Sequence, residues 1–523
     1  MQKYGIWRFI GIIYKIHCLH HFNKGQSNGY LPYFCSDSLC KSPFYSMKER
    51  NRTYSTLYVD LDGTLLKTDI LWEQIIILLR SPIHIVGAIV SMCKGKTAFK
   101  RYCLINAGIP DISTLPIHAE VIRYIANQHQ QGIRIVLATA SLLEVAIEIQ
   151  KHFPFIDECL GSTDLINLKG ERKSAAIVDH AQGFPFGYIG NDHSDFPIWN
   201  RAQEVIYVGS SSSITSRLLR DYPLVTIIDP GESSGLIDLF KEMRIYQWIK
   251  NILVFIPALL AHVMNFEVCS SLLLTFVSFG LLASSVYVLN DLFDLQADRM
   301  HSGKCHRPLA SGRMSIPSGI TLYVILLLGS IFATIIFLPL NVGIVLAIYL
   351  ALTTFYSVYG KKIAILDVML LAGLYTMRLI AGALTVNVVL SEWLMGFSMF
   401  FFLSLAFVKR YSEVRTRNDG IEQLPGRGYE AKDSIMLLAT GLASAMISIL
   451  VLALYINSDA VVKLYTNPSF LWLICPAMLT WLLQMWFIAH RGKMHDDPII
   501  SMAKTPVTYF VLILISCTIW FAT

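Results

Sequence analysis

Two patterns of apolar and polar positions divide the chain. Between residue 55 and about residue 229, short apolar runs alternate with stretches of helical period. The runs Thr56–Asp60, Ile133–Thr139, Gly187–Gly190, Val205–Val208 and Leu224–Ile228 predict strands. Strand and helix in alternation predict a parallel sheet covered by helices on both faces. Ligands of such sheets bind just past the carboxyl ends of the strands. Residues 70–128 interrupt the first crossover with helical, strongly apolar sequence, which predicts a cap over that site, resting on the membrane.

From about Lys250 the pattern changes to long apolar stretches, nine in all, centred on 252–266, 271–290, 316–337, 340–359, 364–385, 393–410, 434–456, 469–489 and 506–522. About 20 apolar residues are needed to cross the hydrocarbon core, so the first stretch is marginal. The second loop carries Arg299, Lys304, Arg307 and Arg313, and the fourth Lys361 and Lys362. The sixth carries Lys409, Arg410, Arg415, Arg417, Arg427 and Lys432, and the eighth Arg491, Lys493 and Lys504. The odd-numbered connections hold a single lysine, Lys463. The positive-inside rule then predicts a multi-pass protein of the inner (cytoplasmic) membrane, its amino-terminal unit cytoplasmic and its carboxyl terminus outside. The expected division is an extension at 1–53, an α/β unit at 54–235 with its cap at about 70–128, and an all-α membrane unit at 244–523. The extension holds an apolar run, Trp7–Tyr14, too short to span, and Met47 stands just ahead of the first strand.

Composition agrees with the division. Hydrophobic residues make up 54% and charged residues 15%, well under the roughly 25% charged share of soluble domains. The net charge of +6 is spread between apolar runs rather than along one stripe, which excludes a nucleic-acid role. Ten cysteines without a C-x-x-C pair indicate neither a zinc site nor a disulfide framework. His118, His129, His152 and His180 lack ligand spacing and are expected at the surface.

Candidate chemistry lies in both units. Asn290, Asp291, Asp294 and Asp298 spell N-D-x-x-D-x-x-x-D at the end of the second stretch. On a helix these offsets put the three carboxylates on one face. Adjacent anions need a counter-charge, and Mg²⁺ combines carboxylates with substrate phosphates. Arg299, Lys304 and Arg307 are alternative neutralising partners. Tyr356, Lys361, Asp367, Arg378, Lys409, Arg410 and Glu413 recur at later membrane ends, and Arg244, Gln247, Lys250 and Asn251 lead into the first. Converging acids and bases suit a metal–diphosphate site.

The N-D-x-x-D-x-x-x-D run, followed by Lys304, Arg307-Pro308-Leu309 and Ser311-Gly312, resembles the first signature of the UbiA superfamily of intramembrane transferases. Four further pieces are similar to the polyprenyl-phosphate phosphoribosyltransferases, the decaprenyl-phosphate phosphoribosyltransferase-like branch of that superfamily. They are Q-W-x-K-N (Gln247–Asn251) with Leu253-Val254-Phe255, Y-S with Lys361 and Asp367, R-x-x-A-G (Arg378–Gly382) and K-R-Y-x-E (Lys409–Glu413). The resemblance implies about nine transmembrane helices and transfer of phosphoribose from phosphoribosyl diphosphate to a polyprenyl phosphate. It implies that Asp291, Asp294 and Asp298 hold Mg²⁺. It assigns phosphate charge to Lys250, Lys304, Arg307 and Lys361, and lets Asp367 assist metal or ribose binding. Asn251, Asn290, Tyr356, Arg378, Lys409 and Arg410 complete the expected substrate-binding set. The alternatives are an aromatic prenyltransferase with a polyprenyl diphosphate donor, and a transporter with an inactive regulatory amino-terminal domain.

Asp60-Leu61-Asp62-Gly63-Thr64 directly follows a predicted strand and resembles the haloacid dehalogenase superfamily, with a Rossmann-like fold and helical cap. The resemblance implies Asp60 as nucleophile, Asp62 as acid and base, Thr139 holding the phosphoryl group, and Lys173, ahead of Lys169, beside the nucleophile. Asp60 and Asp62 also stand in the expected Mg²⁺ set. In Gly190-Asn191-Asp192-His193-Ser194-Asp195 an asparagine replaces the usual first acid. Either Asp192 takes over as ligand, or Asp195 carries the metal with Asn191 as a neutral ligand. The expected reaction is removal of the 5-phosphate from the lipid-linked product; the alternative is an inactive domain retained for docking or regulation.

Overall fold

The computed structural model describes residues 54–222, 224–229, 231, 235–415, 427–458, 461, 465–494 and 497–522. Expectations for residues 1–53, Arg417 and Lys463 lie outside these.

Strands β1 (Thr56–Val59), β2 (Arg134–Leu142), β3 (Glu158–Ser162), β4 (Phe186–Gly190), β5 (Glu204–Val208) and β6 (Val225–Ile228) form one parallel sheet. The order is β3-β2-β1-β4-β5-β6, so the chain reverses direction across the sheet between β1 and β4. Successive residues of β1 enter different cores. Leu57 and Val59 join Ile135, Leu137, Ile189 and Ile206 on one face, and Tyr58 joins Val136, Phe186, Tyr188 and Tyr207 on the other. That is the double burial expected of a central parallel strand. Five strands lie where the apolar runs predicted them; β3, E-C-L-G-S, was not predicted.

Three helices follow β1: α1 (Ile70–Leu79), α2 (Pro82–Cys93) and α3 (Lys96–Ala107). Asp69 starts α1 by accepting hydrogen bonds from Leu71 N and Trp72 N. The helices α4 (Ala119–Gln130) and α5 (Leu143–Gln150) pack on one sheet face through Val121, Ile125, Val145 and Ile149. The opposite face is covered by α6 (Glu171–Ala181) and α7 (Ser212–Asp221) through Ile177, Ile214 and Leu218. His118, expected at the surface, is buried ahead of α4, its backbone N–H donating to Leu65 O at 3.0 Å.

After α8 (Leu236–Glu242) the chain is helical. Its long elements are α9 (Phe266–Phe293), α10 (Ile316–Phe337), α11 (Leu340–Val358), α12 (Leu366–Thr385), α13 (Glu392–Arg415), α14 (Ser434–Ile456), α15 (Ile474–His490) and α16 (Pro506–Ala522). Among the described residues seven segments are long and apolar enough to cross a membrane: α9 to α13, then Ala431–Ile456 and Pro468–His490, which include α14 and α15. The fold is therefore an α/β unit joined to an all-α, multi-pass membrane unit. Of nine expected spans, α16 is shorter, and the stretch 252–266 is not one helix. It is a 3₁₀ segment of 11 residues, Ile245–Phe255, and a five-residue α-helix, Ile256–Leu260. Pro257 supplies no N–H to continue the ladder, and Asn265 caps α9 instead, accepting from Val268 N. At about 2.0 Å per 3₁₀ residue and 1.5 Å per α residue the segment still reaches about 30 Å. It crosses α12 so closely that a Cβ at Gly382 would lie 2.0 Å from Val254 O.

Candidate functional site

At the end of α9 the acidic motif straddles a break rather than one face of a continuous helix. Asp294 leaves the helical conformation (φ −94°, ψ 12°), and a short helix, Leu295–Met300, restarts the chain. Asp291 and Asp298 are buried and share one nitrogen of Arg307, at 2.9 and 2.5 Å. Arg244 chelates Asp291 at 2.5 and 2.7 Å and lies over the Tyr287 ring. Its backbone is left-handed (φ 51°), which costs a non-glycine residue about 1 kcal/mol; the chelate offsets it. Asp294 is half-exposed and faces Lys361 Nζ at 3.5 Å, while Lys304 stands 3.8 Å from Asp298. Asn290 is half-buried, its carbonyl accepting from Asp294 N at 2.8 Å. The structure brings Asn290, Asp291, Asp294, Asp298, Lys304, Arg307 and Lys361 together.

A second cluster adjoins it. Asp367 is fully buried against the Arg410 guanidinium, with one contact at 3.0 Å. Arg410 also reaches Tyr356 Oη at 2.6 Å and pairs with Glu413. Arg427 closes the ring, 3.0 Å from Tyr356 Oη and 3.8 Å from Asp367. Deeper in the bundle, buried Arg378 donates to Asn251 Oδ1 (2.9 Å), Leu374 O (2.5 Å) and Tyr349 Oη (3.1 Å). Lys250 pairs with Asp497 and donates to Gln247 at 2.6 Å. Lys409 is half-buried on α13 beside Arg410.

Glu242 and Asp497 were not expected here. The Glu242 carboxyl is buried next to Asp291; burial first, and the Asp291 charge second, raise its pKa to about 8. Arg299, expected among the acids, turns away. It forms a buried pair with Glu73 of α1 (2.6 and 3.1 Å) and donates to Ala310 O. Thr68 Oγ1 completes that pair, donating to Glu73 at 2.7 Å. Around it Trp72 and Ile76 of α1 pack with Val288, Leu292, Leu309 and Leu322. Arg80 also donates to Phe293 O. The only sequence signal for this joint was the apolar character of residues 70–79.

The α/β centre lies at the ends of β1, β2 and β4. Lys173 Nζ donates to Asp60 Oδ1 at 2.6 Å and stands 3.9 Å from Asp195. Asp62 accepts from Ile70 N and from Ser141 Oγ, both at 2.9 Å. Burial raises Asp60 to about 6 against the pull of Lys173, and burial with the nearby Asp69 charge raises Asp62 to about 8. Asp62 is therefore protonated at neutral pH, the state a general acid needs. Thr139 is buried within β2, three residues before its last, its hydroxyl accepting from Ser141 N at 3.0 Å. Asp195 is buried and accepts from Tyr188 Oη (2.7 Å) and the N–H groups of Asn191 and Asp192 (3.0 Å each). Asp192 points outward, capping His193 N and Ser194. The Asn191 amide lies over Gly63, where a Cβ would come within 2.2 Å of its nitrogen. Across the cleft, Lys100 of α3 donates to Ala140 O and Asn167 Oδ1, both at 2.6 Å. Ser141 and Lys100 carried no recognisable motif.

Two carboxylate centres, one at a membrane mouth lined with arginines and lysines and one past the strands of a parallel sheet, mark a multi-pass membrane protein joined to an α/β unit. Residues 252–504 match the UbiA prenyltransferase family. An uncharacterized protein, y4nM, of Sinorhizobium fredii is 34% identical over 466 residues, 88% of this chain and 89% of its own length. The decaprenyl-phosphate phosphoribosyltransferase of Mycolicibacterium smegmatis is 35% identical over 187 residues, 35% of this chain and 58% of that protein. A phosphoglycolate phosphatase-like structure from Lactobacillus delbrueckii, 16% identical, covers 34% of this chain and 95% of its own at a TM-score of 0.24. Residues 252–504 form a domain of the UbiA prenyltransferase family.

Proposed function

We propose that the chain transfers phosphoribose from phosphoribosyl diphosphate to a polyprenyl phosphate, and that its amino-terminal unit (54–235) then removes the 5-phosphate. The observation that carries the reading is the mouth itself, where two buried aspartates sit within 3 Å of one guanidinium nitrogen and further cations stand around them. Among the described residues no three His, Cys, Asp or Glu side chains stand grouped at metal-binding distance. The oxygen donors nonetheless suit a hard cation, and a shared Arg307 nitrogen already marks where positive charge is held between Asp291 and Asp298. Asp291, Asp294 and Asp298 would hold Mg²⁺, which would neutralise the departing diphosphate. Arg307, Lys304 and Lys361 bind phosphate oxygens, and Lys250 carries a charge deeper along the same wall. The lipid phosphate oxygen bonds to the anomeric carbon as the carbon–oxygen bond to diphosphate breaks. No protein nucleophile is required, so the residues act by positioning and by electrostatic stabilisation.

In the second step the Asp60 carboxylate attacks the 5-phosphate and Asp62 gives its proton to the departing sugar oxygen. Asp62 then takes a proton from the water that releases orthophosphate. The Asp60 and Asp195 carboxylates, with Asn191 as a neutral ligand, would hold the metal there. Lys173 holds Asp60 in its attacking position. The basic even-numbered loops support a cytoplasmic amino-terminal unit in the inner membrane, which puts both centres on one side.

Purified full-length protein given phosphoribosyl diphosphate labelled in the ribose, a polyprenyl phosphate and Mg²⁺ tests both steps. Label is expected in the lipid fraction, and Asp60→Asn is expected to leave one more phosphate on it. Absence of lipid-soluble label refutes the first step. An equal phosphate count with and without the substitution refutes the second.

A further inference from the structure

Helix α2 (Pro82–Cys93) presents an apolar face that nothing among the described residues covers. Ile83, Val86, Ile89 and Val90 are 81%, 65%, 58% and 52% exposed, and Met92 and Cys93 extend the face. The spacing of 83, 86 and 90 puts these side chains on one helical stripe. The flank turned toward α3 is filled: Gly87 has no side chain because the Tyr102 ring of α3 occupies its place, with Tyr102 Oη donating to His84 O at 3.3 Å.

The level of this helix is fixed by its neighbour. Ile76 of α1 packs against Leu292 of α9 and against Leu322 and Leu326, which lie two and three turns into α10. Arg80, two residues before α2, donates to the carbonyl of Phe293, the last residue of α9. Helix α2 therefore starts at the end of a spanning helix. Its exposed stripe carries no charge, while Arg80, Lys94 and Lys96 flank its ends. An exposed apolar stripe with cations just beyond both helix ends suits the lipid headgroup boundary, where the apolar side chains meet acyl chains and the cations meet headgroups. Leu236, Ile237 and Phe240 of α8, the other element entering the membrane unit, are exposed in the same way.

We propose that α2 is an interfacial membrane helix, seating the cap of the phosphatase-like cleft on the surface of the bilayer that the spans cross. Its occupant is lipid, the acyl boundary for the stripe and anionic headgroups for the flanking cations. The cap then meets the lipid directly. Helix α3 lies against α2 and carries Lys100 to Ala140 and Asn167 at the cleft. A phosphate carried on a lipid reaches Asp60 along that surface; this consequence rests on the proposed second reaction, whereas the seat on lipid does not.

The chain itself supplies the test, because trypsin cuts after Arg80 and Lys94 and releases Ser81–Lys94 as one peptide. The full-length protein is reconstituted in phospholipid vesicles containing a phospholipid with an acyl-chain diazirine, irradiated and digested. A lipid adduct is expected on Ser81–Lys94 and none on Ala202–Arg217, which includes the start of α7. The double substitution Val86→Asp, Val90→Asp is expected to lower the adduct at least fivefold while α9 and α10 label as before. Labelled spans with an unlabelled Ser81–Lys94 overturn the proposal. So does a Val86→Asp, Val90→Asp variant that takes up the adduct in this peptide as fully as the parent.

Discussion

Replacing Glu73 by alanine isolates the joint between the two units. Glu73 and Arg299 are 3% and 5% exposed, and the pair has two contacts, at 2.6 and 3.1 Å. Removing one member of a buried ion pair typically costs about 3–5 kcal/mol, because the other charge is left in a low dielectric. Arg299 keeps its bond to Ala310 O, which favours the low end, about 3 kcal/mol. At about 1.4 kcal/mol per tenfold, α1 should open on the order of 100-fold more often. Amide hydrogen exchange of the full-length protein, resolved to peptides covering 70–80, reads this directly. Protection of α1 is expected to fall by that factor while the centre of α9 stays unchanged. The double variant Glu73→Leu, Arg299→Met removes both charges and should restore most of the protection. Exchange of α1 within threefold of the parent in Glu73→Ala would refute the joint.

Gly382→Ala places a Cβ where Val254 O lies 2.0 Å away; loss of folded protein in size-exclusion chromatography is expected, with Gly373→Ala, where a Cβ meets nothing within 4 Å, retained. His118 is buried, and desolvation first and Lys67 second lower its pKa to about 4, below the usual 6.5. The folded form stays neutral while the unfolded chain takes a proton, so about 3 kcal/mol of stability, present above pH 6.5, is lost between pH 6.5 and 4. Denaturation read by exchange of the β1 amides should show this slope, and His118→Gln should flatten it. Arg307→Ala removes the cation shared by Asp291 and Asp298, and labelled lipid formation should fall about 10²-fold or more, with the Asp60-dependent phosphatase rate as the unaffected reference.

Much of this arrangement was legible from local pattern. Asp60 and Asp62 sit where a strand must end, and Asp291 to Asp298 sit where an apolar run meets charge. The missed strand β3 has a glycine and a glutamate among five residues and a mostly half-buried surface, so it lacks the apolar run that revealed the others. The break at Asp294 depends on how the following loop folds back, which helical periodicity does not contain. The pairing of Arg299 depends on a partner 226 residues away, and proximity in sequence pointed instead to the neighbouring acids. Glu242 and Asp497 join the site only when α8 and the short helix Pro498–Ala503, which Asp497 caps, reach it. His118 looks like any polar residue ahead of a helix until the sheet covers it.

The clamp on α1 reverses the usual division of labour between a cap and its core. A helix held by a buried ion pair, an apolar cluster and a carbonyl of α9 belongs mechanically to the membrane unit. The sheet is joined to the cap around Leu66, which bridges Asp62 on one side and Ile117 on the other, and through Lys100 and Arg101 of α3, which reach Ala140, Asn167, Glu144 and Asp164. Widening the cleft has to break the contacts that α3 makes with the sheet, while α1 stays held to the membrane unit.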